Sequence, residues 1–314
     1  MLDYLRLCRF PNVFTAVADV WAGFLLMRAG VDDSNWGILL GLTLASACLY
    51  MAGMVLNDVF DLEVDREERP FRPLPSGRIP LRNAQLLGFG LLIAGVVFAW
   101  QAPRWGSPLP TQPLACPVVG LLLAGAVMGY DSWLKKTPLG PLAMGACRGL
   151  NLLLGMVAVA PLGGNGPWLG LPKIYYLLPL GATLYITGLT WFARDEVGQS
   201  RRSVLTAAIA VMAAGLLTIG LFPLVETSRL RIDPAMFWSL LVLVIGASIL
   251  RPFFRAWQDP SPTLVQAAIK HGIMSLITLD ALIAFYGVDN PLFAVAVIAL
   301  ILPARLLGYW VYST

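Results

Sequence analysis

Long apolar runs without charged residues limit most strongly what this chain can fold into. Several runs contain no Asp, Glu, Lys or Arg, among them residues 37–57, 83–103, 105–130, 174–193 and 203–225. A helix needs about 20 such residues to cross roughly 30 Å of hydrocarbon. The composition agrees, because only 13% of the residues are charged, against about a quarter in soluble domains. We therefore predict an all-α fold, a polytopic transmembrane helical bundle.

The number of spans is expected to be nine or ten, within a single domain over residues 1–314. The candidate spans are residues 12–30, 37–57, 84–102, 112–131, 141–163, 174–194, 203–225, 234–252, 264–288 and 290–311. The last two spans meet at residues 288–290, so they form a tight hairpin or less than two full crossings. The first run follows Arg6 and Arg9 and contains Asp19, so it is interpreted as a helix and not as a cleaved signal peptide.

The basic residues predict the orientation. If the amino terminus is cytoplasmic, most of the 22 Lys and Arg residues lie on the inner side, as the positive-inside rule requires. We expect an integral protein of a bacterial inner membrane, with the amino terminus and the polar motif loops in the cytoplasm. The net charge of +4 is explained by this orientation, so no nucleic-acid partner is predicted. The four cysteines lack metal-site spacing, which argues against zinc.

A carboxylate cluster follows the second apolar run. Asn57 and Asp58 lie four and three residues before Asp61, and Asp65 lies four residues after it, so on a continuous helix they share one face. Such oxygen ligands suit Mg²⁺ with a substrate phosphate, and these four residues are the predicted metal ligands. The alternative is an acidic helix end paired with nearby arginines, which we prefer for Glu63, Glu67 and Glu68. The prolines and glycine at 70–80 predict that the helix ends one or two turns past Asp58.

The motifs resemble those of the UbiA superfamily of intramembrane prenyltransferases. Residues 57–65 read N-D-V-F-D-L-E-V-D and match N-D-x-x-D-x-x-x-D, and residues 69–77 read R-P-F-R-P-L-P-S-G, similar to the family's R-P-x-R-P-[IL]-P-S-G. Later matches to the family's Y…K and G-x-x-R-x-x-N-x-x-x-G patterns fall on Tyr130, Lys135, Lys136, Gly145, Arg148, Asn151 and Gly155. The resemblance implies a bundle of usually nine spans, with a cavity that opens to the cytosol and to lipid.

The second acidic motif departs from the family pattern. Most members carry D-x-x-x-D at the end of the sixth helix, within the region 185–202 here, as the other half of the metal site. In this chain Trp191 and Phe192 precede Asp195 and Glu196 by four residues. The departure indicates a divergent branch, for which the EboC-like proteins are one candidate.

The resemblance implies Mg²⁺-dependent transfer of a prenyl group from a polyprenyl diphosphate to an aromatic or other lipophilic acceptor within membrane lipid. The catalytic residues it implies are Asp61, Lys135, Arg148 and Tyr130, and the diphosphate contacts are Arg69, Arg72, Lys135, Asn151 and Asp195. The alternative is a catalytically divergent member that acts in transport or as an accessory of a biosynthetic pathway.

Several embedded polar residues leave two interpretations open. Arg148 interrupts an apolar span, so it serves either the site or a structural pairing with a buried acid such as Asp19. Asp19 in turn either lines the acceptor pocket or bonds a neighbouring helix. Tyr130 and Tyr185 are candidates for shielding an allylic cation through their ring faces.

Overall fold

The computed structural model describes residues 2–28, 31–32, 34–106, 113–159, 169–195, 202–225, 234–288 and 290–311. Within these ranges the chain forms α-helices joined by turns and short 3-10 segments, and it contains no β-strand. In chain order the helices are α1 (Leu2–Leu7), α2 (Val13–Arg28), α3 (Trp36–Phe60), α4 (Leu62–Glu68), α5 (Leu81–Gln101), α6 (Ala115–Ser132), α7 (Gly140–Val157), α8 (Leu177–Phe192), α9 (Arg202–Val225), α10 (Pro234–Gln258), α11 (Pro262–Gly287), α12 (Leu292–Ala299) and α13 (Ile301–Trp310).

The predicted membrane bundle is confirmed. Among the described residues, 9 helical segments are long and apolar enough to cross a membrane. Helix α8 has 16 residues, shorter than those segments, but 3-10 turns extend it at both ends. The last segment consists of α12 and α13, and α13 packs against α2 and the turn Phe10–Asn12. It therefore returns to the end of the bundle at which the chain begins.

Small residues allow the helices that surround the site to approach closely. Helix α2 packs against α3, α7 and α11. A Cβ atom added to Gly155 on α7 would collide with the carbonyl oxygen of Val20, and one added to Gly23 on α2 would collide with that of Leu152. Such small-residue contacts replace hydrophobic association between helices in lipid. They fix α2 and α7 side by side at the centre of the bundle.

The helical path through the carboxylate cluster is interrupted. Helix α3 ends at Phe60, Asp61 has non-helical angles (φ −94°, ψ 6°), and α4 continues from Leu62 to Glu68. Helix α3 thus ends only two residues past Asp58, and after the break at Asp61 helix α4 continues to ten residues past it. The predicted helix end one or two turns past Asp58 is therefore wrong. One continuous face therefore does not present all four predicted metal ligands in the same direction.

Candidate active site

An apolar cavity lies among α2, α3, α6 and α7. Its walls include Leu123 and Val127, and its polar positions include Tyr130, Asp131 and Arg148. Residues of all four helices contribute to its walls. It offers a hydrocarbon chain an apolar surface with polar groups beside it, the usual composition of a small-molecule site.

Two carboxylates of the motif pair with one buried arginine. The guanidinium of Arg72 donates to Asp65 Oδ2 at 2.7 Å and to Asp58 Oδ1 at 3.5 Å. Arg9 also donates to Asp58 Oδ1 at 3.2 Å, and Arg69 lies 3.8 Å from Asp65 Oδ1. The side chains of Arg72, Asp58 and Asp65 are all less than a tenth exposed. Buried carboxylates need such partners, because an unpaired charge there is costly.

Asp61 pairs with a different cation. The ammonium of Lys135 donates to Asp61 Oδ2 at 2.7 Å. Lys135 belongs to the 3-10 turn Leu134–Lys136 that follows α6, and Asp61 occupies the break between α3 and α4. The fold therefore brings together two residues that are predicted to act on the same substrate group.

Asn57 contacts a carboxylate that the sequence analysis overlooked. Its Nδ2 donates to Asp131 Oδ1 at 3.1 Å, and Asp131 is only 2% exposed. Within the described part of the chain, Asp131 Oδ2 has no hydrogen-bond partner. The available signal was an acidic residue directly after Tyr130, at the inner end of the fourth apolar run.

The four predicted metal ligands fit Mg²⁺ in chemistry. They offer carboxylate and amide oxygens, the ligands that Mg²⁺ prefers, and the partnerless oxygen of Asp131 is buried beside Asn57. The acids are held in separate ion pairs by Arg72 and Lys135. Consequently no three His, Cys, Asp or Glu side chains in the described ranges stand together as a formed metal site.

Arg148 and Asn151 meet a buried carboxylate on α2. Arg148 donates to Asp19 Oδ2 at 2.7 Å and to Thr15 Oγ1 at 2.6 Å. Asn151 Nδ2 donates to the same Asp19 oxygen at 2.8 Å and to the Ala16 carbonyl oxygen at 2.8 Å. The structural pairing considered for Arg148 is thus present, and Asp19 bonds a neighbouring helix. Because Arg148 and Asn151 also line the cavity, their predicted roles toward substrate stay predictions.

The two tyrosines differ in position. Tyr130 lines the cavity, whereas Tyr185 is fully buried among α8, α9 and α11 and donates to the Gly272 carbonyl oxygen at 3.0 Å. The prediction that Tyr185 faces a substrate cation is therefore wrong. Its hydrophobic neighbours on α9 and α11 explain its position.

The end of α8 carries hydrophobic packing in place of the first acid of the second motif. Phe192 is 1% exposed and packs edge-on against Phe253, with ring centroids 4.9 Å apart. The backbone turn Ala193–Asp195 follows. The side chain of Asp195 and the whole of Glu196 lie outside the described residues, so the diphosphate contact predicted for Asp195 stays a prediction.

A second, basic pocket lies beside the carboxylate cluster. It is lined by Arg6, Arg9, Arg72 and Arg78 around the acidic Asp58. Arg9 adopts the left-handed conformation (φ 46°), which is uncommon for a residue with a side chain and is often retained at functional positions. Arg6 and Arg78 pair with Asp3, Arg9 pairs with Asp58, and Arg72 pairs with Asp58 and Asp65. The four guanidinium groups thus exceed their three carboxylate partners by one positive charge, which favours an anionic ligand.

Comparison with known proteins is consistent with this geometry. The model of the UbiA prenyltransferase family matches residues 16–271. A digeranylgeranylglyceryl phosphate synthase of Saccharolobus solfataricus is 26% identical over 303 residues, which cover 93% of this chain and 98% of the relative. The synthase of Metallosphaera sedula is 29% identical over 219 residues, covering 67% of this chain and 70% of the relative.

Solved structures share the fold. A structure of digeranylgeranylglyceryl phosphate synthase superposes with a TM-score of 0.63 at 21% identity and covers 94% of this chain and 98% of its own. A UbiA homolog from Archaeoglobus fulgidus bound to GPP and Mg²⁺ superposes with a TM-score of 0.56 at 14% identity, covering 95% and 99%. At these identities the likeness shows the helical architecture alone.

Proposed function

We propose, from the premise that this chain belongs to the UbiA prenyltransferase family, that it transfers a prenyl group from a polyprenyl diphosphate to a lipophilic acceptor with the help of Mg²⁺. The chain is an integral membrane protein of a transferase family. The observation that carries the proposal is the juxtaposition of an apolar cavity with the Asp61–Lys135 ion pair and the Asn57–Asp131 hydrogen bond. A polyprenyl diphosphate has an apolar chain and a charged head group, so its binding site needs an apolar surface next to polar and charged side chains.

The donor would lie with its hydrocarbon chain in the apolar cavity and its diphosphate at the carboxylate cluster. Asn57, Asp58, Asp61 and Asp65 would hold Mg²⁺, which supplies positive charge to the diphosphate leaving group. Lys135, Arg72 and Arg69 would donate charge-assisted hydrogen bonds to its phosphate oxygens. In the structure these cations pair with the motif acids, which supports the proposed contacts.

The transfer replaces one bond by another. The bond between the allylic carbon and the diphosphate oxygen breaks, and its electron pair leaves with the diphosphate. A nucleophilic atom of the acceptor bonds to that carbon, and the proton that this atom carried passes to the released diphosphate. The ring face of Tyr130, which lines the cavity, would stabilise the allylic cation. The apolar walls would exclude water and so prevent hydrolysis of the donor.

The acceptor that we favour is a lipid phosphate. The archaeal relatives are named as synthases of digeranylgeranylglyceryl phosphate, and the basic pocket supports an acceptor with an anionic head group. Arg6, Arg9 and Arg78 would contact that phosphate beside the carboxylate cluster. An aromatic acceptor remains the alternative, and these three arginines would then keep only their ion pairs with Asp3 and Asp58.

The test measures transfer by washed membranes that contain the full chain. Labelled geranylgeranyl diphosphate is supplied with Mg²⁺ and either a glyceryl phosphate lipid or its dephosphorylated form. We expect transfer to the phosphorylated acceptor, loss in EDTA and a reduction of about a hundredfold or more in Asp61→Ala and Lys135→Ala. The control is Glu63→Gln, because the Glu63 side chain is 82% exposed. Full activity of Asp61→Ala would contradict the proposed role.

The non-catalytic alternative makes a different prediction in the same membranes. Its single supporting observation is that neither Asp195 nor Glu196 has an acidic residue four positions earlier, so the D-x-x-x-D pair is missing. A transport or accessory protein would bind the donor without forming a prenylated product. Donor binding without product from any of the acceptors would therefore favour this alternative.

We also propose the orientation and the extent of the domain. Residues 1–314 form one membrane domain whose amino terminus and motif regions, 57–82 and 185–202, face the cytoplasm. The charge distribution supports this orientation. A bacterial inner membrane remains our prediction, although the relatives named above are archaeal. Protease protection of tags at residue 1 and in the turn at 73–80, in sealed inside-out vesicles, tests the orientation, and both tags should be cleaved.

A further inference from the structure

We propose that Asp131 is a ligand of Mg²⁺ and acts together with Asn57, so that the metal site lies between the inner ends of α3 and α6. This inference rests on the proposed function and assigns a metal-binding role to a residue outside the N-D-x-x-D-x-x-x-D motif. The geometry, burial and charge of Asp131 support it independently of one another.

The first support is a buried carboxylate oxygen without a partner. Asp131 is 2% exposed, and its Oδ2 makes no hydrogen bond within the described part of the chain. Buried polar atoms are nearly always satisfied, and an exception calls for an ion, a water or a functional role. A divalent cation would satisfy this oxygen and offset the cost of burying the charge.

The second support is the space beside that oxygen. Asp131 and Gly53 both line the apolar cavity, and a Cβ atom added to Gly53 would come within 3.9 Å of Asp131 Oδ2. Glycine therefore leaves room next to Oδ2 on the α3 side. The cavity therefore borders Asp131 on the α3 side, with no α3 side chain between them at position 53.

The third support is the orientation of the neighbouring amide. Asn57 donates its Nδ2 to Asp131 Oδ1 at 3.1 Å. This bond fixes the amide so that its carbonyl oxygen, the only atom of the group that binds a metal, points away from Oδ1. Hydrogen bonds outside the metal's own ligands orient those ligands in this way. Asp131 Oδ2 is then available as a second oxygen ligand of the metal, beside the Asn57 carbonyl oxygen.

The fourth support is the charge around the site. Asp61 and Lys135 both interact electrostatically with Asp131, and Lys135 is already paired with Asp61 at 2.7 Å. Arg9 also acts on Asp131, but its guanidinium is paired with Asp58 at 3.2 Å. Asp61 and Asp131 therefore share one ammonium group, which leaves a negative charge on their side of the cluster. Arg72 pairs with the other two motif acids. A divalent cation is therefore favoured on the Asp131 side of the cluster.

The test compares metal affinity in purified full-length variants, with Mn²⁺ as the probe and a geranyl thiolodiphosphate as an inert donor. Free Mn²⁺ is measured by electron paramagnetic resonance. In Asp131→Asn the new amide oxygen still accepts from Asn57, but the negative charge is lost. We expect its Mn²⁺ dissociation constant to rise about tenfold or more, and that of Asp131→Ala to rise at least as much.

The matched control is Asp280→Asn. Asp280 on α11 is also buried (4% exposed) and also has a partnerless Oδ2 within the described ranges, but it lies near Asp19 and Arg148 and outside the motif. Its substitution should leave Mn²⁺ affinity within about twofold of wild type. Thermal unfolding without metal, expected to be alike for the Asp131 variants and wild type, separates a lost ligand from a lost fold.

Two outcomes would overturn the inference about Asp131, and a third would also overturn the proposed function. Wild-type Mn²⁺ affinity in Asp131→Asn overturns the inference and leaves Asp131 as a residue that only orients Asn57. An equal loss in Asp280→Asn also overturns it, because the effect would then be general. If wild type binds no Mn²⁺ with the donor analogue, the proposed function fails as well. The two failures are thus distinguishable.

Discussion

Replacing Arg148 by methionine should destabilise the bundle strongly. The substitution keeps the unbranched apolar stem of the side chain but removes the ion pair with Asp19, in which the two side chains are 12% and 4% exposed. Asp19 would keep the hydrogen bond from Asn151 and lose its cation. Breaking a buried pair by removing one partner costs about 3–5 kcal/mol.

The assay is unfolding of the purified protein in mixed micelles, followed by circular dichroism. The double variant Asp19→Asn/Arg148→Met should recover much of the stability, because the asparagine that replaces Asp19 is neutral and still accepts from Asn151. The control is Arg66→Met, since Arg66 pairs on the surface with Glu63 and its side chain is 55% exposed. Such an exposed pair contributes about 1 kcal/mol or less.

Two results would refute this reasoning. One is an unfolding free energy of Arg148→Met within about 1 kcal/mol of wild type, the range of a surface pair. The other is strict additivity in the double variant, because residues in contact should show coupling of about 0.5–3 kcal/mol. If stability is unchanged and only the KM for the diphosphate donor rises, Arg148 acts on the substrate and not on the fold.

Two further predictions concern reactivity and helix packing. Burial raises the pKa of Cys8 to about 11 from 9.0, so at pH 7–8 its thiolate is about a hundredfold rarer than that of an ordinary cysteine. Maleimide labelling of a variant that retains Cys8 alone should be slow and accelerate toward pH 11, and rapid labelling at pH 7 would contradict this. Gly155→Leu should force α7 away from the Val20 carbonyl oxygen on α2 and lower the unfolding temperature markedly, whereas Gly125→Leu should change it little, because nothing lies within 4 Å of a Cβ atom there. Equal effects of the two substitutions would show that the close approach of α2 and α7 is unimportant.

The sequence by itself determined the class of the fold and the chemistry of the motif. Uncharged apolar runs cross a bilayer only as helices or closed barrels, and their lengths predicted the helices that the structure contains. The spacing of Asn57, Asp58, Asp61 and Asp65 identified an acidic cluster, because these residues are close along one segment. Both conclusions depend on local periodicity, which is readable without the fold.

Only the tertiary structure decided which groups meet that cluster. Asp131 and Lys135 lie 74 residues from their partners Asn57 and Asp61, and Asp19 lies 129 residues from Arg148. The ends of α3 and α6 are brought together by helix packing, which no local pattern encodes. Packing also buried Tyr185 against α11 and separated the motif acids into different ion pairs. The partners of a charged side chain, and hence its role, depend on these long-range contacts.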